Sequence, residues 1–242
     1  MECWQAGSLP RPAYADPTCI PAVAAPQGYD LIVQQLIPGY ASLARLAVAL
    51  LAASPLASAD GAPVLVAGCG TGAELVEARA QRPDWQLTAI DPSAEMLQAA
   101  QGRLGDAGIQ WRQTTVEELG EEGRYAGALS VLVLQSLPDD GSKLAFLTAL
   151  ARSLQPGGQL VLVDRMAPER SPLQAQVEAA LLGFQRASGL EASADDLMPL
   201  SQGLHPIGEA RLAALVEAAG FSDPARVFQA LGYEGFLLQR RS

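Results

Sequence analysis

The run Val64-Leu-Val-Ala-Gly68-Cys-Gly70-Thr-Gly72-Ala-Glu-Leu75 takes an apolar strand into a turn with three glycines and then into a helical pattern. Glycines at such a turn let the backbone bend sharply and approach a ligand where any Cβ would clash. A second apolar run, Leu87-Thr-Ala-Ile-Asp91, ends on a carboxylate nineteen positions after Gly72. An acid at that spacing, closing a second parallel strand, can accept from ribose hydroxyls. Turn and acid together describe a pocket for an adenosine-bearing cofactor. Gly68-x-Gly70-x-x-Ala73 also satisfies the dinucleotide fingerprint, so an NAD(P)-dependent oxidoreductase is one reading. The position of the turn, behind a helical N-terminal segment, weighs against it. So does Gly72, which suits close approach to a small ligand group more than to a pyrophosphate.

Few other residues carry chemistry by type and position. Gln135, Ser136, Asp164 and Arg165 fall near the carboxyl ends of the fourth and fifth expected strands, where open α/β sheets place ligands. Arg165 could bind an acidic substrate or pair with a nearby acid. His205 is the single histidine and sits in a Leu-His-Pro loop; a lone loop histidine more often serves structure than catalysis. Cys69 lies in the glycine turn, where packing is the simpler role. With Cys3 and Cys19 it makes an odd set without a C-x-x-C pair, so neither a disulfide framework nor a zinc site is indicated, and no metal is expected.

These residues need a parallel sheet to position them. Apolar strands are expected near 63–67, 86–90, 109–113, 126–132 and 159–164, with helices near 73–81, 93–103 and 142–154 between them. Ser93 is placed to cap the helix after Asp91, with Met96 and Leu97 facing inward. Asp140-Gly-Ser142 opens the helix that Pro156-Gly-Gly158 stops. Upstream, 29–37 and 42–51 read as helices broken at Pro38-Gly39, with Leu43, Leu46, Ala47, Leu50 and Leu51 forming one apolar stripe. Downstream come a helix over 173–187, an acidic patch at Asp195-Asp196, a helix over 208–219, and strands near 225–231 and 234–240. The division is an N-terminal arm and helical segment closing the site (1–60), a cofactor-binding core (61–167), a helical cap (168–206), and a last helix with a terminal hairpin (207–242).

The chain holds 16 basic and 26 acidic residues, for a formal charge of −10. That balance argues against an electrostatic grip on nucleic acid or on an anionic membrane. The N-terminus lacks a basic start and apolar run, and Arg45 and Pro55 interrupt the apolar stretch at 41–59. A cytoplasmic protein without membrane or nucleic-acid partners is expected.

The glycine turn, Asp91, Leu134-Gln-Ser-Leu-Pro138, Leu154-Gln-Pro-Gly-Gly-Gln-Leu-Val-Leu-Val163 and the closing Ala-Gly-Phe221 resemble, in order, the motifs of class I S-adenosylmethionine-dependent methyltransferases. The resemblance implies a three-layer Rossmann-like α/β fold: a seven-stranded, mostly parallel sheet, its last strand antiparallel, with a helical cap. It implies S-adenosyl-L-methionine as cofactor and S-adenosyl-L-homocysteine as product. Gly68, Cys69, Gly70 and Gly72 would face the methionine end, Asp91 the ribose, and Met96, Thr115, Val116 and Glu117 the adenine.

Leu36-Ile-Pro-Gly-Tyr40, Leu132-Val-Leu-Gln-Ser-Leu137 and Phe184-Gln-Arg-Ala-Ser-Gly189 are similar to segments of the carboxy-S-adenosylmethionine synthases. There the matching tyrosine lies against the cofactor, which carries over to Tyr40. That family's asparagine for the extra carboxylate is Val131 here, and Ala194-Asp-Asp-Leu-Met-Pro-Leu200 lacks its cap arginine, so ordinary S-adenosylmethionine is expected. The broad family's usual acids are absent at Val66, Thr115 and Ala126. The expected activity is methylation of a small-molecule oxygen or nitrogen, with Gln135, Arg165 and His205 facing the acceptor. Tyr40 and His205 are the catalytic candidates, and association as a homodimer follows by resemblance. A non-catalytic S-adenosylmethionine-binding partner protein is the alternative from another class.

Overall fold

Strands covered on both faces must be apolar nearly throughout, and β1 (Pro63–Ala67) and β2 (Gln86–Ile90) meet that demand, with only their first residues reaching solvent. The computed structural model describes residues 26–105, 108–168, 171–190, 203–222 and 224–242. In it β1 and β2 pair in parallel, Val64 opposite Leu87 and Ala67 opposite Ile90. Short β3 (Gln110–Arg112) continues the sheet beyond β2, while β4 (Tyr125–Val131) and β5 (Leu154–Arg165) extend it from the other side of β1. The order is β3-β2-β1-β4-β5-β7-β6, with β7 (Tyr233–Gln239) antiparallel between β5 and β6 (Ala225–Ala230). This is the expected seven-stranded, mostly parallel α/β sheet with its last strand reversed.

Helices cover both faces. On one side α5 (Ser142–Ser153) and α7 (Glu209–Ala218) bury Phe146, Leu147, Leu150, Leu212, Leu215 and Val216. On the other, α2 (Tyr40–Ala52), α3 (Ala73–Gln81) and α4 (Ala94–Leu104) bury Leu43, Val48, Leu51, Leu75, Ala78 and Leu97. Each such side chain contributes about 1.5–3 kcal/mol by leaving water. The chain reverses its strand order between β1 and β4, so the crevice at their carboxyl ends is the natural ligand site.

Several expectations shift. The helix α1 (Pro26–Leu36) starts three residues early, and Gly39, at φ +82°, separates it from α2. The buried stripe of α2 is Leu43, Ala47, Val48 and Leu51, whereas Leu46 is turned outward. The Pro156-Gly-Gly158 stretch does not separate α5 from a strand beginning at 159. β5 starts at Leu154, which pairs with Tyr125 before an irregularity in the ladder. Within the expected cap, α6 (Gln174–Ala187) forms, while Asp195, Asp196 and the 194–200 stretch lie outside the described residues. Among those residues no single helix is long and apolar enough to cross a membrane; α1 and α2 pass such a test only as a pair, bent by 93°.

Candidate functional site

Each glycine of the turn answers a different demand. All three have positive φ: +71° at Gly68, +50° at Gly70 and +87° at Gly72. The turn leans on β2, since Gly68 and Cys69 both donate to the Ile90 carbonyl, at 2.9 and 3.0 Å. A Cβ on Gly68 would lie 2.3 Å from Val133 Cγ2, in the loop after β4. One on Gly72 would press within 3.2 Å of Ala100 and Leu104 on α4. One on Gly70 would meet nothing within 4 Å among the described residues. Ligand approach was the expected reason for all three; protein neighbours already require Gly68 and Gly72, and Gly70 alone borders open space.

Asp91 stands at that opening, 8% exposed. Its Oδ2 accepts from Gly70 N at 2.9 Å and its Oδ1 from Ser93 N at 2.9 Å. Burial raises its carboxyl above the usual range, and the two backbone donors pull the other way. Each oxygen keeps lone-pair capacity beyond its single backbone bond, which fits a ligand with paired hydroxyls. Ser93 caps α4 by accepting from Met96 N. Met96 on α4 is half-buried; in the segment after β3, Thr115 and Val116 are buried and Glu117 is exposed. Thr115 turns its hydroxyl back to accept from Glu118 N at 3.3 Å.

The N-terminal helix closes this pocket. Asp30 on α1 accepts from the Thr71 hydroxyl in the turn at 2.5 Å and pairs with Arg103 of α4 at 2.6 Å. Val33 and Ile37 pack with Tyr233 of β7, alongside Tyr29, Tyr40, Leu132 and Phe228. Burial pushes the Tyr29 phenol up to about 12, with the charges of Glu74, Asp91 and Asp30 adding to it. It pushes Tyr40 higher still, with Glu74 next in effect, and the Cys69 thiol is raised the same way. A phenol so held keeps its proton near neutral pH: Tyr40 can donate a hydrogen bond but is a poor base. Glu74, in the first turn of α3, is 6% exposed, and burial raises its carboxyl to about 7.

At the carboxyl edge of β4 and β5, Gln135 is a junction. Its carbonyl accepts from His205 N at 2.6 Å, its side-chain oxygen from Arg165 N at 3.2 Å, and its own N–H donates to Asp164 at 2.8 Å. The structure therefore brings the three acceptor-side candidates together, with His205 exposed and Gln135 and Arg165 half-buried. Behind them, fully buried Lys143 donates to the Leu134 carbonyl beside Asp164, whose Oδ2 has no hydrogen-bond partner among the described residues. Burial raises Asp164 to about 7 and lowers Lys143, and each charge offsets part of the other's shift. Leu132 leaves β4 at φ +62°, a conformation costing about 1–3 kcal/mol in a non-glycine residue, and Val133 follows it onto Gly68. Val131, half-buried, ends β4 opposite Val163.

Sequence reasoning missed Tyr29, Asp30 and Glu74. Glu74 reads as an ordinary first-turn acid favoured by the helix dipole; only its position under α1 distinguishes it. Among the described residues no group of three or more His, Cys, Asp or Glu side chains is placed to hold a metal ion.

Residues 64–158 match the family model described as a methyltransferase domain. The ubiquinone biosynthesis O-methyltransferase of Bradyrhizobium sp. (strain ORS 278) is 34% identical over 105 residues, 43% of this chain and 40% of that protein. The chain thus matches less than half the length of this curated relative. Among solved structures, a possible exported protein from Bordetella parapertussis aligns with TM-score 0.69 at 20% identity, over 91% of this chain and 80% of that one. Human N-acetylserotonin methyltransferase, solved with S-adenosylmethionine, aligns with TM-score 0.60 at 18% identity, over 89% and 57% respectively. The fold is that of the S-adenosylmethionine-dependent methyltransferases, and S-adenosylmethionine is the cofactor of such a domain. The open face at Gly70 and the ribose-ready carboxylate of Asp91 fit it.

Proposed function

We propose, from the premise that residues 64–158 are an S-adenosylmethionine-dependent methyltransferase domain, that the whole chain methylates a small-molecule acceptor in a biosynthetic pathway. The observation that carries this reading is Asp91 beside the open face of Gly70, the one turn glycine whose Cβ position borders no atom of the described residues. When bound, S-adenosylmethionine supplies a methyl group already activated by positive sulfur. The chain's part is to align the acceptor with it and to exclude water. The turn, Asp91 and the Met96–Thr115–Val116 wall hold the adenosine, and α1 and Tyr40 cover it. Gln135, Arg165 and His205 face the acceptor. Oxygen is favoured as the accepting atom because the curated relative is an O-methyltransferase by name; nitrogen is the second choice.

Ordinary S-adenosylmethionine is the proposed donor rather than its carboxylated form, because Val131 offers no donor to an extra carboxylate. A homodimer, by resemblance, and a cytoplasmic location, from the N-terminal sequence, complete the reading; sedimentation of the purified chain tests the dimer.

Titration calorimetry with S-adenosylhomocysteine, S-adenosylmethionine and NADH tests the reading. The first two should bind and NADH should not. Asp91→Ala should weaken S-adenosylhomocysteine about tenfold to a hundredfold, the usual loss when a charged acceptor is removed. Binding of NADH alone, or an unchanged affinity in Asp91→Ala, overturns it. Cofactor binding without methyl transfer to any acceptor of its pathway would instead identify a non-catalytic partner protein.

A further inference from the structure

We propose that the Glu74 carboxylate binds the α-ammonium group at the methionine end of the cofactor, an inference that rests on the methyltransferase reading above. Glu74 lies in the first turn of α3, two residues past Gly72, and is 6% exposed. Among the described residues its carboxylate has one hydrogen-bond donor, its own backbone N–H. Arg103, whose charge offsets part of the effect of burial on Glu74, is already paired with Asp30 at 2.6 Å. A buried carboxylate without a cationic partner is costly, and a site that keeps one meets its cation in the ligand.

The surroundings place this charge in the pocket. Its field reaches Tyr29 on α1, Tyr40 on α2 and Cys69 in the glycine turn, and Tyr29 and Cys69 also feel Asp91. Asp91 is bonded to Gly70 within the turn and Glu74 follows the turn in the first turn of α3, so the turn carries one carboxylate for ribose hydroxyls and a second for the amino-acid end of the ligand. β1 offers no anion, since Val66 is apolar and 2% exposed.

The cofactor has two cations, and the reaction distinguishes them. Methyl transfer discharges the sulfonium, so an anion paired with it would stabilise the reactant more than the transition state and slow the step. The ammonium keeps its charge throughout. Pairing Glu74 with it strengthens binding without raising the barrier.

Calorimetry compares S-adenosylhomocysteine with 5′-methylthioadenosine, which has the adenosine and thioether but no amino-acid end. Glu74→Gln keeps the side chain's shape and removes its charge. It should weaken S-adenosylhomocysteine about tenfold or more, leave 5′-methylthioadenosine within about twofold, and melt no lower than wild type without ligand. A proton readout is independent. Glu74 faces Tyr29 and Asp30 on α1, Tyr40 on α2, Cys69 and Asp91 around the turn, and Arg103 on α4; near pH 6.5 its pairing with ammonium should release a proton in wild type but not in Glu74→Gln. Equal weakening of both ligands, or of neither, overturns the assignment while leaving the methyltransferase reading intact. Wild-type protein that binds neither ligand overturns both.

Discussion

At the residue scale, the three turn glycines separate what holds the protein from what admits its ligand. Gly68 is pressed by Val133 and Gly72 by α4, whereas Gly70 faces open space. Gly68→Ala should therefore cost about 2–4 kcal/mol of stability, as overpacking adds to the strain of a positive φ. Gly70→Ala should cost only about 1–2 kcal/mol, from its φ, yet lower S-adenosylhomocysteine affinity more than Gly68→Ala does. Thermal melting and calorimetry on the two variants check the split; similar melting temperatures would count against it. The glycine pattern was legible in the sequence. Its division of labour was not, because Val133, Ala100 and Leu104 meet the turn only after β4 and α4 fold onto it.

At the element scale, the closure of the site depends on α1, held by one acid with two partners. Asp30 joins the turn through Thr71 and α4 through Arg103. Both charged side chains are partly exposed, 42% for Arg103 and 30% for Asp30, so the ion pair contributes about 1 kcal/mol or less to global stability. Asp30→Ala should leave the melting temperature within a few degrees of wild type. It should still weaken S-adenosylhomocysteine several-fold and speed amide exchange across residues 29–37, since the helix loses its tie to the pocket floor. Unchanged exchange in that helix would show that Val33 and Ile37, packed on Tyr233, suffice to hold it. The helical pattern of 29–37 announced a helix, but its role over the pocket depends on β7, two hundred residues further along the chain.

At the scale of the whole molecule, two buried acids set the pH response. Glu74 and Asp164 are each raised to about 7 from ordinary values of 4.5 and 3.8. Folded protein therefore holds protons that the unfolded chain has released, so stability falls as pH rises through about 4.5 to 7 and levels off above. The cost, once each is fully charged, is on the order of 3 kcal/mol for Glu74 and on the order of 4 kcal/mol for Asp164. Ligand-free protein should melt at a lower temperature at pH 8 than at pH 6. Glu74→Gln should melt higher than wild type at pH 8, with the gap closing near pH 5. Scanning calorimetry across that range decides it; a flat difference would show that Glu74 does not titrate in the window.

Order along the chain was enough to establish the α/β class, the parallel core strands, the Ser93 cap and the glycine turn followed by Asp91, because apolar period, turn residues and acid spacing are local properties. The start of β5 was misplaced because Pro156-Gly-Gly158 reads as a break, while the ladder to Tyr125 admits Leu154 before it. The sequence could not show how Gln135, Arg165 and His205 bond to one another, that Asp30 ties α1 to the turn, or that Glu74 lies buried while Arg103 is held by Asp30. Those facts depend on desolvation and on contacts between distant segments, and a carboxylate's surroundings, unlike its spacing, exist only once the chain has closed around it.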